Sequence, residues 1–465
     1  MKVCKFGGSS LADAGQLTKV IDIVLSDPQR RIVVVSAPGK RNKGDTKVTD
    51  LLIALAQKAL DGADTKSALA AVVARYAAIA KDLDLGDDIV KEIEADLKDR
   101  LAQVPPAGGD AGDVCGAPRA AGGFMDLLKA AGEDNNAKLA AVAFQKRGKK
   151  ARYASPKDTG MILEGEAGNA TLHPDSYKRL ARAFSDFEGI VVYPGFFGYR
   201  MDGSVATFPR GGSDITGSIL AAAVRADVYE NFTDVDSVYP VDPRLVPEVK
   251  AGIDTMTYRE MRELSYAGFG VFNDEAIFPA VQARIPINVR NTNHPGEPGT
   301  MIVQTRRVMP GTVTGIASAG GFTNIIIDKY LMNRQIGFTR RLLTILEEEG
   351  VSYEHIPSGI DSISVIIRGD HFEPAVEKRT VTRIKRELNP DSVIVSHDYV
   401  VLMVVGEGMC YSAGMLARAC TALASAGINI SMVNQGASEI SFMLGIKSAD
   451  RDRAVRALYE AFFGE

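Results

Sequence analysis

Apolar positions along roughly the first 300 residues follow two alternating patterns. Short β-branched runs at Lys2–Phe6, Arg31–Ser36, Gly189–Tyr193, Asp227–Thr233 and Ile285–Arg290 predict strands. Longer alanine- and leucine-rich stretches predict helices at Leu11–Leu25, Val48–Leu60, Asp64–Ala80, Phe124–Lys146 and Ser213–Ala226. Strands alternating with helices predict a layered α/β domain. The Gly/Ala/Pro-rich stretch Pro105–Gly123 predicts a mobile surface loop, and HPGEPGT (His294–Thr300) marks the approach to a domain boundary.

Beyond about residue 308 the texture changes and an internal repeat appears. Gly337–Ile367 lies over Gly414–Leu444 without a gap at a constant offset of 77, with eight of 31 pairs identical. Each copy reads as glycine, a helix of about three turns, a glycine stop, a β-branched strand, a turn and a second strand. Glycines matching at both helix ends (Gly337/Gly414 and Gly350/Gly427) mark specific backbone turns, so the repeat is a structural one.

Length and composition then narrow the class. A chain of 465 residues has material for roughly three domains at about 150 residues each. A net charge of -4 leaves no basic footprint for nucleic acid. Cys4, Cys115, Cys410 and Cys420 lie far apart without CxxC spacing, which argues against a zinc site or disulfide framework and for a reducing, cytoplasmic setting. The start, MKVCKFGGSSLADAG, lacks an apolar signal core, and no apolar run approaches the ~18 residues of a membrane span.

Three glycine- or aspartate-bearing loops carry candidate chemistry. Lys5-Phe6-Gly7-Gly8-Ser9-Ser10 joins the first strand to a helix, where backbone N–H groups and a helix end can receive an anion and Lys5 adds a full charge. Ser9 or Ser10 can cap that helix. The segment is neither a P-loop nor a GxGxxG fingerprint. Pro209-Arg210-Gly211-Gly212-Ser213-Asp214 again sets glycines ahead of a helix, with Arg210 offering a planar fork for carboxylate or phosphate. An aspartate among phosphate-binding elements usually organises a metal ion or a lysine. The third loop, Thr233-Asp234-Val235-Asp236-Ser237-Val238-Tyr239 with Asp242-Pro243-Arg244, ends a strand and holds a tyrosine able to stack on a base. Gly132-Glu133 adds a lone glutamate within a helix. None of the five histidines sits in these motifs, so a histidine base is poorly supported. A carboxylate nucleophile needs none, because with a pKa of about 4 it is already ionised at pH 7.

Taken together, these residues resemble the aspartokinase family, ATP-dependent aspartate kinases of the amino-acid kinase superfamily. The resemblance runs end to end: KFGGSS, VVSAPG (Val34–Gly39), Gly132-Glu133, FPRGGSD (Phe208–Asp214) and FTDVDSVYPVDPR (Phe232–Arg244). The repeat looks like a pair of ACT modules, the small amino-acid-binding domains of this family. GEGM (Gly406–Met409) and INISMVNQGASEISF (Ile428–Phe442) match the second copy. The implied architecture is an α/β amino-acid kinase fold over 1–307, followed by ferredoxin-like α+β ACT modules over 308–390 and 391–465.

By the same resemblance, Lys5, Gly7, Gly8 and Ser9 hold the transferring phosphates of ATP, and Thr233, Asp234, Tyr239 and Arg244 line the nucleotide pocket. Thr49, Glu133, Phe196, Arg210 and Ser213 hold L-aspartate, Glu133 facing its ammonium and Arg210 a carboxylate. Asp214 orients Lys5 and the Mg2+–ATP, and no residue is assigned as a direct metal ligand. The implied product is 4-phospho-L-aspartate, which opens the route to lysine, threonine and methionine. Met332, Gly337 and the turn Ser358-Gly359-Ile360-Asp361 are the expected effector pocket for lysine or threonine. Paired ACT modules imply a homodimer or larger assembly.

The chain departs from the family pattern in three places. Ala130 stands where relatives often carry a serine two residues before the Gly-Glu pair. Gly268–Glu275 replaces a stretch that carries a nucleotide-contacting lysine in relatives, and the Pro105–Gly123 insert has no assigned role. Two rival readings follow: another phosphotransferase of the superfamily, acting on glutamate, acetylglutamate or UMP, and an amino-acid sensor with an inactive kinase domain. The paired tail and the Glu133/Arg210 set speak against the first, intact Lys5 and Asp214 against the second.

Overall fold

The computed structural model of the chain describes every residue except 107–115, 186, 210, 250, 270–273, 370–371 and 465. It resolves into two compact units, one of residues 1–238, 252–258 and 271–306, the other of 239–251, 259–270 and 307–465.

The first unit opens with β1 (Lys2–Phe6), α1 (Ala14–Leu25) and β2 (Arg30–Val35). Four helices follow: α2 (Val48–Leu60), α3 (Lys66–Asp82), α4 (Asp88–Leu101) and the long α5 (Gly116–Lys146). Next come β3 (Ala151–Tyr153), α6 (Pro156–Thr159), the hairpin β4 (Leu163–Glu166) and β5 (Asn169–Leu172), and α7 (Ser176–Ala183). Then β6 (Ile190–Pro194) leads through the hairpin β7 (Phe197–Tyr199) and β8 (Val205–Thr207) to α8 (Gly212–Ala223) and β9 (Val228–Thr233). The last elements of this unit are β10 (Thr255–Thr257), α10 (Phe278–Gln282), β11 (Ile287–Asn291) and β12 (Thr300–Val303), while α9 (Tyr258–Tyr266), which follows β10 in the chain, belongs to the second unit from residue 259 on.

Eight strands form one sheet in the order β10-β12-β11-β9-β1-β2-β6-β3, parallel at every pairing except β11 with β12. Strand alternation decides what each face receives. Cys4 and Phe6 enter the core shared with α1 to α5, where Phe6 stacks on Phe232 with ring centroids 4.7 Å apart. Lys5, between them, leaves on the opposite face and meets α8. The carboxyl ends of β1, β2 and β6 run into Gly7, Ser36 and Gly195, which gathers three loops at the edge where open α/β sheets bind ligands.

Two expectations are corrected here. Residues 116–123, expected in a surface loop, form the first two turns of α5, because alanine favours helix and Pro118 falls within the first turn, where its missing N–H costs nothing. The rest of that insert, 107–115, lies outside the described residues. Ser9 and Ser10 do not cap α1: a 3-10 turn spans Gly8–Leu11, and the cap is Asp13, whose side chain accepts from Gln16 N at 2.9 Å. Ser10 instead bonds Thr292 at 2.7 Å.

The second unit contains β13 (Gly315–Asp328), α11 (Phe338–Glu348), β14 (Ser362–Arg368) and α12 (Pro374–Leu388). The same series returns as β15 (Ser392–Val405), α13 (Met415–Ser425), β16 (Met432–Gln435), β17 (Ser441–Ile446) and α14 (Arg451–Phe463). The repeat is realised at its sequence offset: β13 and β15 begin and end 77 residues apart, as do α11 and α13. Gly337 and Gly414 cap the helices at φ 75° and 88°, and Gly350 and Gly427 both follow them at φ 69°. In the first copy the expected strand after the helix shrinks to isolated bridges at His355 and Ser358.

The five strands form one antiparallel sheet in the order β14-β13-β15-β17-β16. The register of β13 against β15 slips between Ala319 and Phe322, around Gly320 and Gly321, and the core divides there. Ile316 packs with the second copy's Leu402, Val404 and Leu423. Ile325 and Ile327 pack with the first copy's Leu342 and Leu346. Each long strand therefore serves both copies. Among the described residues no helix is long and apolar enough to cross a membrane.

Candidate active site

The geometry starts at Lys5. Its side chain is largely buried, and its Nζ lies 2.6 Å from Asp214 Oδ1 in the first turn of α8. Asn231 of β9 donates to that same oxygen at 2.6 Å, and the Tyr229 hydroxyl donates to the Asp214 carbonyl at 3.2 Å. A buried pair is costly to desolvate unless further hydrogen bonds complete it, and Asn231 supplies one. Beside the pair, Gly7 and Gly8 turn the chain between β1 and α1. Gly39 N donates to Gly8 O at 2.8 Å, and a Cβ on Gly39 would lie 2.5 Å from Gly8 C. Two backbones thus meet where no side chain fits. Arg75 of α3, itself buried, pins that second loop by donating to Gly39 O and Thr46 O, both at 2.7 Å.

The N-terminus of α8 forms the next wall. Gly211 caps it at φ 86°, and a Cβ on Gly212 would lie 2.6 Å from the Phe196 ring. Phe196 is itself at φ 76°, a conformation that costs of order 1–3 kcal/mol in a non-glycine residue and recurs at functional sites. It is held there by its N–H on Thr216 Oγ1 at 3.0 Å and its carbonyl under Phe208 N at 2.9 Å.

A third wall comes from α5. Glu133 is only 5% exposed, and its Oε2 has no hydrogen-bond partner. Burial pushes its carboxyl up to about 8, although the backbone N–H of Ala37 and the charge of Lys47 partly offset this. An unpartnered buried carboxylate is a site prepared for a cation.

These walls enclose a cavity of about 420 Å3. It brings together Lys5, Gly7, Gly8, Thr49, Glu133, Phe196, Ser213 and Asp214 from the sequence-predicted set. Sequence reasoning missed Ser36, Lys47, Lys129 and Thr207, which also line it. Ser36 is the serine of VVSAPG, directly after β2, a signal that could have been used; the two lysines carry no local motif. Ser9 is exposed and, like Thr233 and Asp234, is not among the lining residues. Thr233 Oγ1 donates to Asp234 at 3.2 Å. Arg210 lies outside the described residues. Tyr239 and Arg244 belong to the second unit. There Tyr239 packs beside Val241 and Val246, while Arg244 folds back onto Asp242 at 2.7 Å. Ala130, the missing serine, is fully buried against Phe197 and Val205. Of 268–275, residues 270–273 lie outside the described residues.

In the second unit, the expected effector residues also converge. Asp361 Oδ1 accepts from Leu331 N at 2.8 Å, and Asn333 N donates to Ile360 O at 3.1 Å, which ties the 331–333 turn to the 358–361 turn. Met332 points into the first copy's core, and Gly337 caps α11. Tyr330, Leu331, Ile336 and Ile360 are exposed around these turns.

A mainly parallel sheet with a glycine turn, a buried lysine–aspartate pair and a charge-lined cavity is the arrangement of a small-molecule phosphotransferase. Accordingly, residues 1–291 match the amino acid kinase family and residues 402–462 the ACT domain. The chain is 52% identical over 463 residues to aspartokinase 3 of Bacillus subtilis, covering 100% of this chain and 99% of that protein. Clostridium acetobutylicum aspartate kinase superposes at a TM-score of 0.86 with 36% identity, over 99% of this chain and 100% of the other. E. coli aspartokinase III in complex with aspartate and ADP superposes at 0.77 with 25% identity and full coverage of both chains; its complex with lysine and aspartate gives 0.76 at 25%, over 100% of this chain and 99% of the other. The chain belongs to the aspartokinases of the amino acid kinase family.

Proposed function

We propose that this chain transfers the γ-phosphate of ATP to the side-chain carboxylate of L-aspartate, giving 4-phospho-L-aspartate. The observation that carries this reading is the buried carboxyl of Glu133, whose Oε2 has no hydrogen-bond partner, in the same cavity as the Lys5–Asp214 pair. Glu133 receives the aspartate ammonium, and Thr49 and Ser213 contribute hydroxyls beside it. Arg210 takes a carboxylate. The side-chain carboxylate, already ionised, attacks in line, so the protein has only to position it and to neutralise charge. The Gly7–Gly8 turn faces the phosphates, with Gly7 N donating to Phe232 O at 3.3 Å, Lys5 meets the negative charge on the transferring group, and Asp214 holds Lys5 in place. Thr233, Asp234, Tyr239 and Arg244 serve the nucleotide.

The cavity's carboxylates are Glu133 and Asp214, and among the described residues no group of three acidic, His or Cys side chains could hold a metal. That donor set would suit a Mg2+ ion brought in with the ATP, which Asp214 would help to orient beside Lys5, and the ion would supply further charge neutralisation there. Use of ATP and the free thiols of Cys4, Cys410 and Cys420 support a reducing, cytoplasmic setting.

The second unit binds an amino-acid effector, lysine or threonine, at the 331–333 and 358–361 turns. The exposed apolar residues around those turns are covered by a second copy of the chain, as a homodimer or larger assembly. The crystallised complex of E. coli aspartokinase III with lysine supports that effector class. ADP release with aspartate, glutamate and UMP as acceptors tests the reading: release is expected with aspartate at a kcat/KM far above the other two. Comparable release with glutamate or UMP would contradict it, as would none with any acceptor.

A further inference from the structure

The cavity has a phosphate side and an acceptor side, and the gap between them must be fixed. None of the described residues lining it comes from α3. Two neighbours on that helix, Arg75 and Tyr76, are nonetheless buried, at 6% and 0% exposure, and reach both sides. Arg75 Nη1 donates to Thr46 O at 2.7 Å and lies 3.1 Å from Asp45 Oδ2. Its Nη2 donates to Gly39 O at 2.7 Å and to Ala12 O at 3.4 Å. One guanidinium thus joins the loop between β2 and α2 to the end of the 3-10 turn that begins at Gly8. That loop supplies Ser36 and Lys47 to the lining, and its Gly39 lies against Gly8.

Tyr76 works on the other wall. Its hydroxyl donates at 2.8 Å to the carbonyl of Gly132, the residue before Glu133. The same stretch of α5 meets the end of β2, where a Cβ on Gly132 would lie 2.8 Å from Ala37 Cβ and Asn136 Nδ2 donates to Ser36 O at 2.7 Å. Adjacent helix positions point about 100° apart, so a single step of α3 serves two walls. An apolar pair would fill this space without the cost of desolvating a guanidinium and a phenol; what the polar groups add is fixed carbonyl positions.

We propose that Arg75 and Tyr76 are positioning residues for the two halves of the cavity, Arg75 holding the phosphate-side loop and Tyr76 the turn of α5 that carries Glu133. The inference rests on the reading of this cavity as the site of ATP and aspartate. Calorimetric titration of the full chain with Mg2+–ADP and with L-aspartate needs no turnover, so it separates this inference from the catalytic one. Tyr76→Phe keeps the ring in the core and removes one hydroxyl. It is expected to weaken aspartate binding about 3- to 10-fold and ADP binding less than about twofold, the net worth of one hydrogen bond. Arg75→Met is expected to reverse the pattern, with ADP weakened about 10-fold and aspartate less than about threefold. Arg75→Lys keeps the charge without the planar fork and should recover part of the ADP affinity. Thermal unfolding gives the stability loss of each variant, and if Arg75→Met does not fold, Arg75→Lys and Tyr76→Phe decide. Equal loss of both ligands in each variant, or loss of neither, overturns the assignment and leaves the pair a purely structural role. Crossed losses in binding without phosphorylation by the wild type would instead fail the catalytic reading and leave this one standing.

Discussion

Two single residues decide most of the chemistry in the cavity, and each carries a measurable consequence. Burial pushes the Glu133 carboxyl up to about 8 in the folded protein, whereas the same group in the unfolded chain ionises near its ordinary value of 4.5. Its contribution to stability is therefore full below about pH 4.5 and is lost as pH rises toward 8. Glu133→Gln should raise the melting temperature relative to wild type, with a gap that widens from pH 5 to pH 8 and an upper bound of about 5 kcal/mol. The same titration governs binding, because an ammonium ligand needs the ionised form. KM for aspartate should fall as pH rises from 6.5 toward 8, KM for ATP should not, and the slope should vanish in Glu133→Gln. A flat aspartate profile in the wild type would show that the cavity does not hold the proton as described. Asn231 acts through another group. Removing its bond to Asp214 in Asn231→Ala should lower kcat about 10-fold with little change in aspartate KM, since a loosened Lys5–Asp214 pair misplaces charge without touching the substrate.

At the scale of elements, the site is made by turns that only glycine can occupy. Gly39 is the sharpest case, because the atoms a Cβ would meet (Gly8 C and O, and Ser9 N) are all backbone, between 2.5 and 2.8 Å away. Gly39→Ala must displace the Gly7–Gly8 turn. Kinetics should show kcat reduced 10- to 100-fold and a raised KM for ATP, in a protein that circular dichroism finds folded. Unchanged ATP kinetics would mean that the Gly7–Gly8 turn does not hold phosphate. Much at this scale was legible in the sequence. β1 and α2 run between the residues their apolar pattern predicts, since both are amphipathic or buried segments whose period settles the matter locally. The repeat was legible for a different reason, because its glycines are fixed by backbone angles that recur in both copies. What escaped depends on partners distant in sequence. The start of α5 reads as a loop because its composition is that of a turn. The first copy's reduced strand and the slip at Gly320–Gly321 follow from pairing between β13 and β15, which no local pattern encodes. Lys129 escaped likewise: a lysine on a helix is by default solvated, and only packing places this one in a cavity.

For the molecule as a whole, the unit that holds the Lys5–Asp214 pair and its cavity is joined to a second unit, an expense that, among the described residues, adds none to the lining of that cavity. Feedback by an amino acid explains that expense, with coupling of ~1–3 kcal/mol, about 5- to 150-fold in affinity. Asp361→Ala should retain basal activity while losing most inhibition when lysine, threonine and methionine are titrated singly and in pairs at sub-saturating aspartate. Equal sensitivity in the mutant would place the effector elsewhere. The central claim is that this cavity makes an acyl phosphate on aspartate, and one vessel can test it. Hydroxylamine converts an acyl phosphate to a hydroxamate, so ADP and aspartyl hydroxamate can be followed side by side for wild type and Lys5→Ala. The account predicts equal amounts of the two products in the wild type, and a drop in both of about 10²-fold or more in Lys5→Ala with aspartate KM changed less. ADP without hydroxamate, or a folded Lys5→Ala protein with near wild-type kcat, would contradict it.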